Sequence, residues 1–278
     1  MKKTTASKNR ILYLGDWVFS VGPIFIETPF GTETKDADLH FYGKRLVQAL
    51  KPITEVDTLA NWELYRLEPG KLEEYLGQST ALIISDVEAR CFHLYPSFFD
   101  RSRRENKVVT FPDRLKLTKQ WVADGGGLMM LGGWLSFSGV MGKGGWGRSS
   151  FADALPIDCL HVEDLVESSE GFTAEVLNPA HPVVKGLPWK SFPPIFGYNE
   201  TRAKPEGEVL VRIKETGHPL VVVGEYGKGK ILTYMSDPAP HWGINFELWK
   251  GYDAFWQQSL QWVNKTANPN RKKNIIRS

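Results

Sequence analysis

The sequence predicts an α/β fold, a mainly parallel sheet with helices on both faces and additional antiparallel strands in the C-terminal half. Three observations point to it. Short apolar runs alternate with helical stripes through the first half, the pattern of strands joined by right-handed helical crossovers. Two of those runs end in an acid, Asp16 and Asp86, and a third ends in a glycine pair, Gly132-Gly133. After Cys159 the texture changes to short strand-like runs separated by Pro- and Gly-rich turns.

The third run, Gly127-Leu128-Met129-Met130-Leu131, follows two further glycines and precedes Gly132-Gly133-Trp134-Leu135-Ser136-Phe137. A strand covered on both faces reads as a continuous apolar run. The glycine pair lets the backbone turn tightly at the strand's carboxyl end, where open α/β sheets place their ligand crevices. Trp134 and Ser136 are therefore expected to look into such a crevice.

In chain order, residues 11–16 read as the first strand. Residues 17–35 read as irregular, with Gly22-Pro23, Thr28-Pro29 and Phe30-Gly31 as turn signals. A helix is expected from Asp36, carrying Leu39, Tyr42, Leu46, Val47 and Leu50 at helical spacing and stopping before Pro52. Residues 54–56 form a second strand, 71–76 a short helix and 81–86 a third strand. Residues 87–107 lack a period and read as an excursion over the carboxyl edge. Leu115, Thr118, Trp121 and Val122 make a helical stripe leading into the central strand. Residues 137–150 form a Gly-rich loop, and 151–156 a short helix ending at Pro156. Strand-like runs follow at 172–177, 209–213, 220–223 and 231–235, the last two joined by a hairpin turn at Tyr226-Gly227-Lys228-Gly229. A closing amphipathic helix spans 246–263, with Trp249, Tyr252, Phe255, Trp256, Leu260 and Val263 on one face.

The 278 residues read as one domain over 1–278, with an ordered core over about 10–264 and a tail at 265–278. A net charge of +2 argues against a nucleic-acid partner, and the basic runs at 101–104 and 271–273 are short enough to be solvated faces. The polar start lacks the apolar centre of a signal peptide, and no apolar run approaches a membrane span. The expected compartment is the cytoplasm, without a membrane partner. Two cysteines make neither a disulfide framework nor a zinc set. The six histidines are scattered, so no metal and no cofactor is expected. Cys91 and His93 would share a face on a strand, although a buried, inert Cys is the commoner outcome. Most of the ten tryptophans are assigned to packing, with an aromatic-lined pocket as the sharper reading.

Gly224-Glu225-Tyr226-Gly227-Lys228-Gly229-Lys230 mimics a phosphate-binding loop. That mechanism needs a Ser or Thr next and a following helix, whereas Ile231 follows and the chain enters a strand. A nucleophile elbow needs Ser or Cys at its centre, and Trp134 stands there. Ser136 is a displaced hydroxyl, expected to bond the turn's own backbone.

Gly132-Gly133-Trp134-Leu135-Ser136-Phe137, Tyr226-Gly227-Lys228-Gly229-Lys230 and Asp237-Pro238-Ala239-Pro240-His241-Trp242, in this order of elements, resemble the class I glutamine amidotransferase-like superfamily. The likeness is to a branch of bacterial cytoplasmic proteins whose elbow reads Gly-Gly-x-x-Ser-Phe and whose late motif reads Asp-x-x-x-His-Trp. It runs over residues 11–263 and implies a flavodoxin-like three-layer sandwich. Glutaminases of the superfamily carry a Cys at the elbow and a late His-Pro-Glu. Here Trp134 and Asp237-Pro238-Ala239 stand in those places. Glutamine hydrolysis needs a thiolate within reach of an imidazole, so no glutaminase activity is expected.

Three functional readings follow. The first is a binding or regulatory module whose Asp16, Asp86, Trp134, Ser136 and Trp242 meet a small polar, sugar-like ligand, indole stacking on C–H-rich rings and carboxylates accepting hydroxyl hydrogens. The second is an enzyme, such as a hydrolase, with Asp237 and His241 as a catalytic acid–imidazole pair in the same crevice. The third is an assembly role, with Trp-rich surfaces forming homo-oligomer contacts. Against each acid stands the plainer role of capping the segment after its strand.

Overall fold

The structure, a computed structural model, describes residues 9–28, 31–98 and 110–266. Its frame is a sheet of eight strands. The first, β1 (Arg10–Gly15), is followed by a hairpin of β2 (Trp17–Thr28) and β3 (Gly31–Phe41), then helix α1 (Lys44–Leu50) and β4 (Glu55–Leu59). Helices α2 (Asn61–Arg66) and α3 (Lys71–Gln78) lead to β5 (Ala81–Ser85), and α4 (Arg90–His93) and α5 (Arg114–Ala123) lead to β6 (Gly127–Leu131). The second half supplies β7 (Ile157–Cys159), β8 (Leu165–Phe172), β9 (Ala174–Val176), β10 (Ile195–Asn199), β11 (Thr201–Ala203), β12 (Glu208–Ile213), β13 (Pro219–Tyr226), β14 (Gly229–Tyr234) and the closing α6 (Tyr252–Val263).

The strand order is β4-β1-β5-β6-β14-β13-β12-β9. The pairings from β4 through β14 are parallel, and those from β14 to β9 are antiparallel. The sheet is therefore parallel where helices alternate with strands and antiparallel where Pro- and Gly-rich turns replace them, as the sequence predicts. β5 and β6 are buried at every residue. A Cβ on Gly126 would meet the Trp121 ring of α5, and one on Gly127 would meet Val263 of α6. Successive side chains on a strand point to opposite faces, so α5 and α6 cover opposite faces of the sheet. This is the flavodoxin-like sandwich, and α1 packs beside α6 in one of its outer layers.

Several elements differ from the sequence reading. Residues 17–35 are not irregular: β2 and β3 pair antiparallel from Trp17↔Phe41 to Thr28↔Gly31, with the register shifting between Val21 and Ile24. Pro23, which lacks an N–H, falls in that bulge, where no ladder bond needs it. The same hairpin overturns the helix expected from Asp36. Leu39 belongs to β3 opposite Phe19, and α1 starts only after Gly43. Helix α2 is an element the sequence reading passed over; Glu63 marks its start by accepting the Ala60 N–H at 2.8 Å.

The run at 172–177 is two strands in two sheets, β8 pairing with β10 and β9 with β12. Between them Thr173 bonds Glu215 through its N–H at 3.0 Å and its hydroxyl at 2.6 Å. The expected closing helix begins late. Trp249 sits before α6, its ring against Trp189 and Phe192, while residues 246–248 make a single 3₁₀ turn. Residues 151–156 likewise hold one 3₁₀ turn (Ala152–Ala154). Cys91 and His93 lie on the short α4 and not on a strand. The phosphate-loop mimic is the tight turn between β13 and β14, with Gly227 at φ +59°. The basic run at 101–104 and the tail beyond 266 lie outside the described residues. Among the described residues, no helix is long and apolar enough to cross a membrane.

Candidate functional site

The carboxyl ends of β1, β5, β6 and β14 deliver four segments to one edge of the sheet: Asp16, Asp86, the elbow 132–137 and Asp237. Asp16 and Asp86 both adopt left-handed backbone, at φ +56° and +53°. Asp tolerates that region better than most residues, because its short side chain bonds locally. Each chain thus bends directly after its strand.

The elbow is where these segments meet. Gly133 has φ +147°, and a Cβ placed on it would stand 2.7 Å from Asp86 Oδ1 and 3.1 Å from Asp237 Oδ1. Only glycine lets both carboxyls approach this backbone. Asn199 of β10 pins the same residue: its Oδ1 accepts the Gly133 N–H at 2.9 Å and its Nδ2 donates to the Gly133 carbonyl at 3.1 Å. Nδ2 also donates to Asp164 at 2.8 Å, and Asp164 accepts the N–H groups of Ser138 and Gly139 at 2.8 and 2.9 Å. The turn from 133 to 139 is therefore held from behind by two buried side chains.

Asp86 and the elbow clasp each other. Asp86 Oδ1 accepts the Leu135 N–H at 2.6 Å, and the Asp86 N–H donates to Ser136 Oγ at 3.0 Å. Ser136 is buried and bonds across to β5's end, where the sequence suggested its own turn as the partner. The capping role weighed for Asp86 is thus real, and the residue as a whole is less buried than Asp16 or Asp237.

Asp16 and Asp237 are each about 7 % exposed. Asp16 accepts a hydrogen bond from the buried Tyr13 hydroxyl. Burial pushes its carboxyl up to about 7; the Tyr13 bond opposes that rise and the Asp86 charge adds to it. Burial likewise raises Asp86, against the Leu135 N–H and the His241 charge, which favour ionisation. Asp237 is pushed well above the ordinary carboxyl range by burial first and then by Asp86 and Asp16, while the N–H groups of Trp242 and His241 pull it down. These three carboxyls feel one another, and carboxyls so placed resist ionising together.

Trp134 stands at the front of the elbow, 46 % exposed, with its indole stacked on the exposed His241 imidazole at 5.2 Å between centroids. Tyr42, just after β3, is tilted against the same imidazole at 6.3 Å between centroids. The imidazole acts electrostatically on Asp86, whereas Asp237 meets the His241 backbone. Trp242 is turned inward: it is buried, donates Nε1 to Glu167 at 2.7 Å and lies where a Cβ on Gly197 would stand. Of the residues singled out from the sequence, Asp16, Asp86, Asp237, Trp134 and His241 converge, and Ser136 and Trp242 brace them.

Neither cysteine is at the elbow. Cys91 is on α4 beneath Arg114, and Cys159 is on β7 opposite Thr201. Burial pushes the Cys91 thiol up to about 11 and Cys159 higher still. Among the described residues, no three His, Cys, Asp or Glu side chains are arranged to hold a metal ion. Sequence reasoning found the Gly132-Gly133 turn but missed Asn199 and Asp164 as parts of the site; neither of these carried a local signal. A cavity of about 660 Å³ lies away from this edge, between β4 and α3, lined by Arg10, Asp57, Lys71 and Glu74 among others. Its charged groups already pair internally, Arg10 with Asp57 and Lys71 with Glu74.

Fold and elbow together define a flavodoxin-like α/β protein with its elbow at the carboxyl edge of the sheet. The profile of the family described as "GATase1_like: Putative glutamine amidotransferase" matches residues 30–265, and the chain belongs to that family. Two solved structures are similar over nearly the whole chain. The cytoplasmic protein STM3548 of Salmonella typhimurium is 30 % identical, with a TM-score of 0.79 over 91 % of this chain and 98 % of its own. The cytoplasmic protein STM1381 of Salmonella typhimurium LT2 is 31 % identical, with a TM-score of 0.79 over 92 % of this chain and 100 % of its own. A ThuA-like protein of Bacteroides uniformis, 13 % identical with a TM-score of 0.52 over 97 % of this chain and 98 % of its own, shares the fold. No protein of curated function matches the chain.

Proposed function

We propose that this chain is a member of its family without glutaminase activity, a cytoplasmic single-domain module that binds a small polar, sugar-like ligand at the carboxyl edge of its sheet. One observation carries the reading. At the elbow an exposed indole, Trp134, stands where glutaminases of the superfamily carry a thiol, one residue along from Gly133, where the carboxyls of Asp86 and Asp237 meet. An aromatic face stacks on the C–H face of a sugar ring, and carboxyl groups in either protonation state bond its hydroxyls. The cytoplasmic compartment is supported by the description of the two Salmonella proteins.

A thermal-shift screen of hexoses, polyols and amino acids tests the binding reading, because a ligand of the folded state raises Tm by mass action. The expected hit disappears in Trp134→Ala and Asp237→Asn. A flat screen sinks it. In a separate assay, glutamine is expected to release no ammonia. Turnover abolished by Cys91→Ala would overturn that half of the reading.

The second reading is an enzyme using the acid–imidazole chemistry of the same edge. The charge interaction between His241 and Asp86 favours it. In that case Asp86 is the carboxylate coupled to the imidazole, and Asp237 is the neighbouring acid whose neutral form burial favours.

A further inference from the structure

The carboxyls of Asp16, Asp86 and Asp237 lie at one sheet edge, and among the described residues no lysine or arginine side chain pairs with any of them. Their partners are few: the Tyr13 hydroxyl on Asp16, the Leu135 N–H on Asp86, and the N–H groups of His241 and Trp242 on Asp237. A second observation points the same way. The Ser85 hydroxyl is fully buried and faces Asp16, but its geometry falls short of a hydrogen bond and it has no other partner. The cluster thus has acceptor capacity and a spare hydroxyl, and among the described residues no lysine or arginine faces it. Asp86, the least buried of the three residues, feels the His241 imidazole, on which the exposed Trp134 indole stacks.

We propose that this cluster takes a protonated primary amine, and that the ligand of the preceding reading is an amine-bearing polyol such as an amino sugar. The proposal rests on that reading and narrows it. An ammonium group has three N–H donors and no acceptor, which suits a site made of carboxyl oxygens. Its positive charge favours the ionised form of carboxyls whose protons burial otherwise retains, so the amine binds as the cluster gives up protons. The indole face adds cation–π attraction at the mouth. A neutral hydroxyl in the same position supplies donors without the charge.

Titration calorimetry on the intact protein at neutral pH tests this with four probes: D-glucosamine, ethanolamine, D-glucose and N-acetyl-D-glucosamine. D-Glucosamine and ethanolamine are expected to bind, and the two neutral sugars to bind more weakly than D-glucosamine by about tenfold or more, the factor that a charge-assisted hydrogen bond contributes. Asp237→Asn is expected to weaken D-glucosamine by about tenfold. Trp134→Ala, at an exposed side chain whose removal spares the core, is expected to weaken both amines. Equal binding of D-glucose and D-glucosamine overturns the amine proposal and leaves the sugar reading standing. Binding of neither sugar nor amine overturns both. Binding of magnesium or potassium chloride in place of the amines also overturns the proposal, in favour of an inorganic cation.

Discussion

Asn199 holds Gly133 by both ends of its amide, accepting the N–H at 2.9 Å and donating to the carbonyl at 3.1 Å. This pair fixes the elbow from β10, 66 residues further along the chain. Asn199→Ala strands a buried donor and acceptor on Gly133 and removes a donor from Asp164. Each stranded buried group costs about 1–3 kcal/mol, so a loss of about 2–4 kcal/mol in unfolding free energy is expected. Urea unfolding checks it; a loss below about 1 kcal/mol would show that water replaces the amide.

Gly133 itself has no substitute. Alanine there must hold φ near +147° and place its methyl 2.7 Å from Asp86 Oδ1. Gly133→Ala is expected to destabilise by about 2 kcal/mol or more, from backbone strain together with displaced carboxyls. It should also remove ligand-induced stabilisation, because Asp86 and Asp237 can no longer converge. A variant that melts like the wild type and keeps its ligand shift contradicts this geometry.

The parallel half of the sheet was legible because buried strands write themselves as apolar runs, as in Ile11–Leu14 and Leu128–Leu131. The edge bearing Asp16, Asp86, Trp134 and Asp237 followed from where those runs stop. The β2–β3 hairpin was not legible, because Gly22-Pro23 looks like a break in a strand until a bulge is allowed to contain it. Leu39, Tyr42 and Leu46 fit a helical period by coincidence, although Leu39 lies in β3. Asn199 and Asp164 could not be found locally at all. Their role depends on contacts across 66 and 25–26 residues of chain, which no short-range pattern encodes.

The raised carboxyls give stability a definite pH trend. Burial lifts Asp16 from an ordinary 3.8 to about 7, and Asp164 to about 6, the latter against bonds from Asn199 and the N–H groups of Ser138 and Gly139. The folded protein then holds protons that the unfolded chain has released. The contribution of these groups is complete below about pH 4 and is lost as pH rises to about 7. Asp86 and Asp237 act in the same sense, while His181, lowered by burial, acts in the opposite one. Urea unfolding is expected to show lower stability at pH 8 than at pH 5, with a smaller difference in Asp16→Asn. A protein more stable at pH 8, with Asp16→Asn unchanged, would show that these carboxyls are ionised when folded.

Arg114 is almost fully buried, donating to the carbonyls of Leu64 and Cys91 at 3.0 and 3.2 Å and to that of Leu67, with its guanidinium 3.8 Å from the Tyr95 ring centroid. It ties the loop ends of α2 and α4 to α5. Arg114→Ala is expected to cost about 3 kcal/mol or more, from unpaired carbonyls and lost packing. Arg114→Lys should recover only part of this, since an ammonium cannot present a planar fork. Full recovery by lysine, measured by urea unfolding, would assign the role to charge alone.

The thiol of Cys91 supplies the last expectation. Burial raises it to about 11, and the Glu88 charge adds to that rise against Arg114 and Arg90. The thiolate is the reactive form, so this sulfur should be a poor nucleophile near neutral pH. Alkylation by iodoacetamide at pH 7.5 is expected to be at least about tenfold slower in the native protein than in urea. Added glutamine should not protect it, because the thiol sits on α4 and not at the elbow. Fast native alkylation that glutamine suppresses would place a working thiol where the structure has an indole, and the non-glutaminase reading would fall with it.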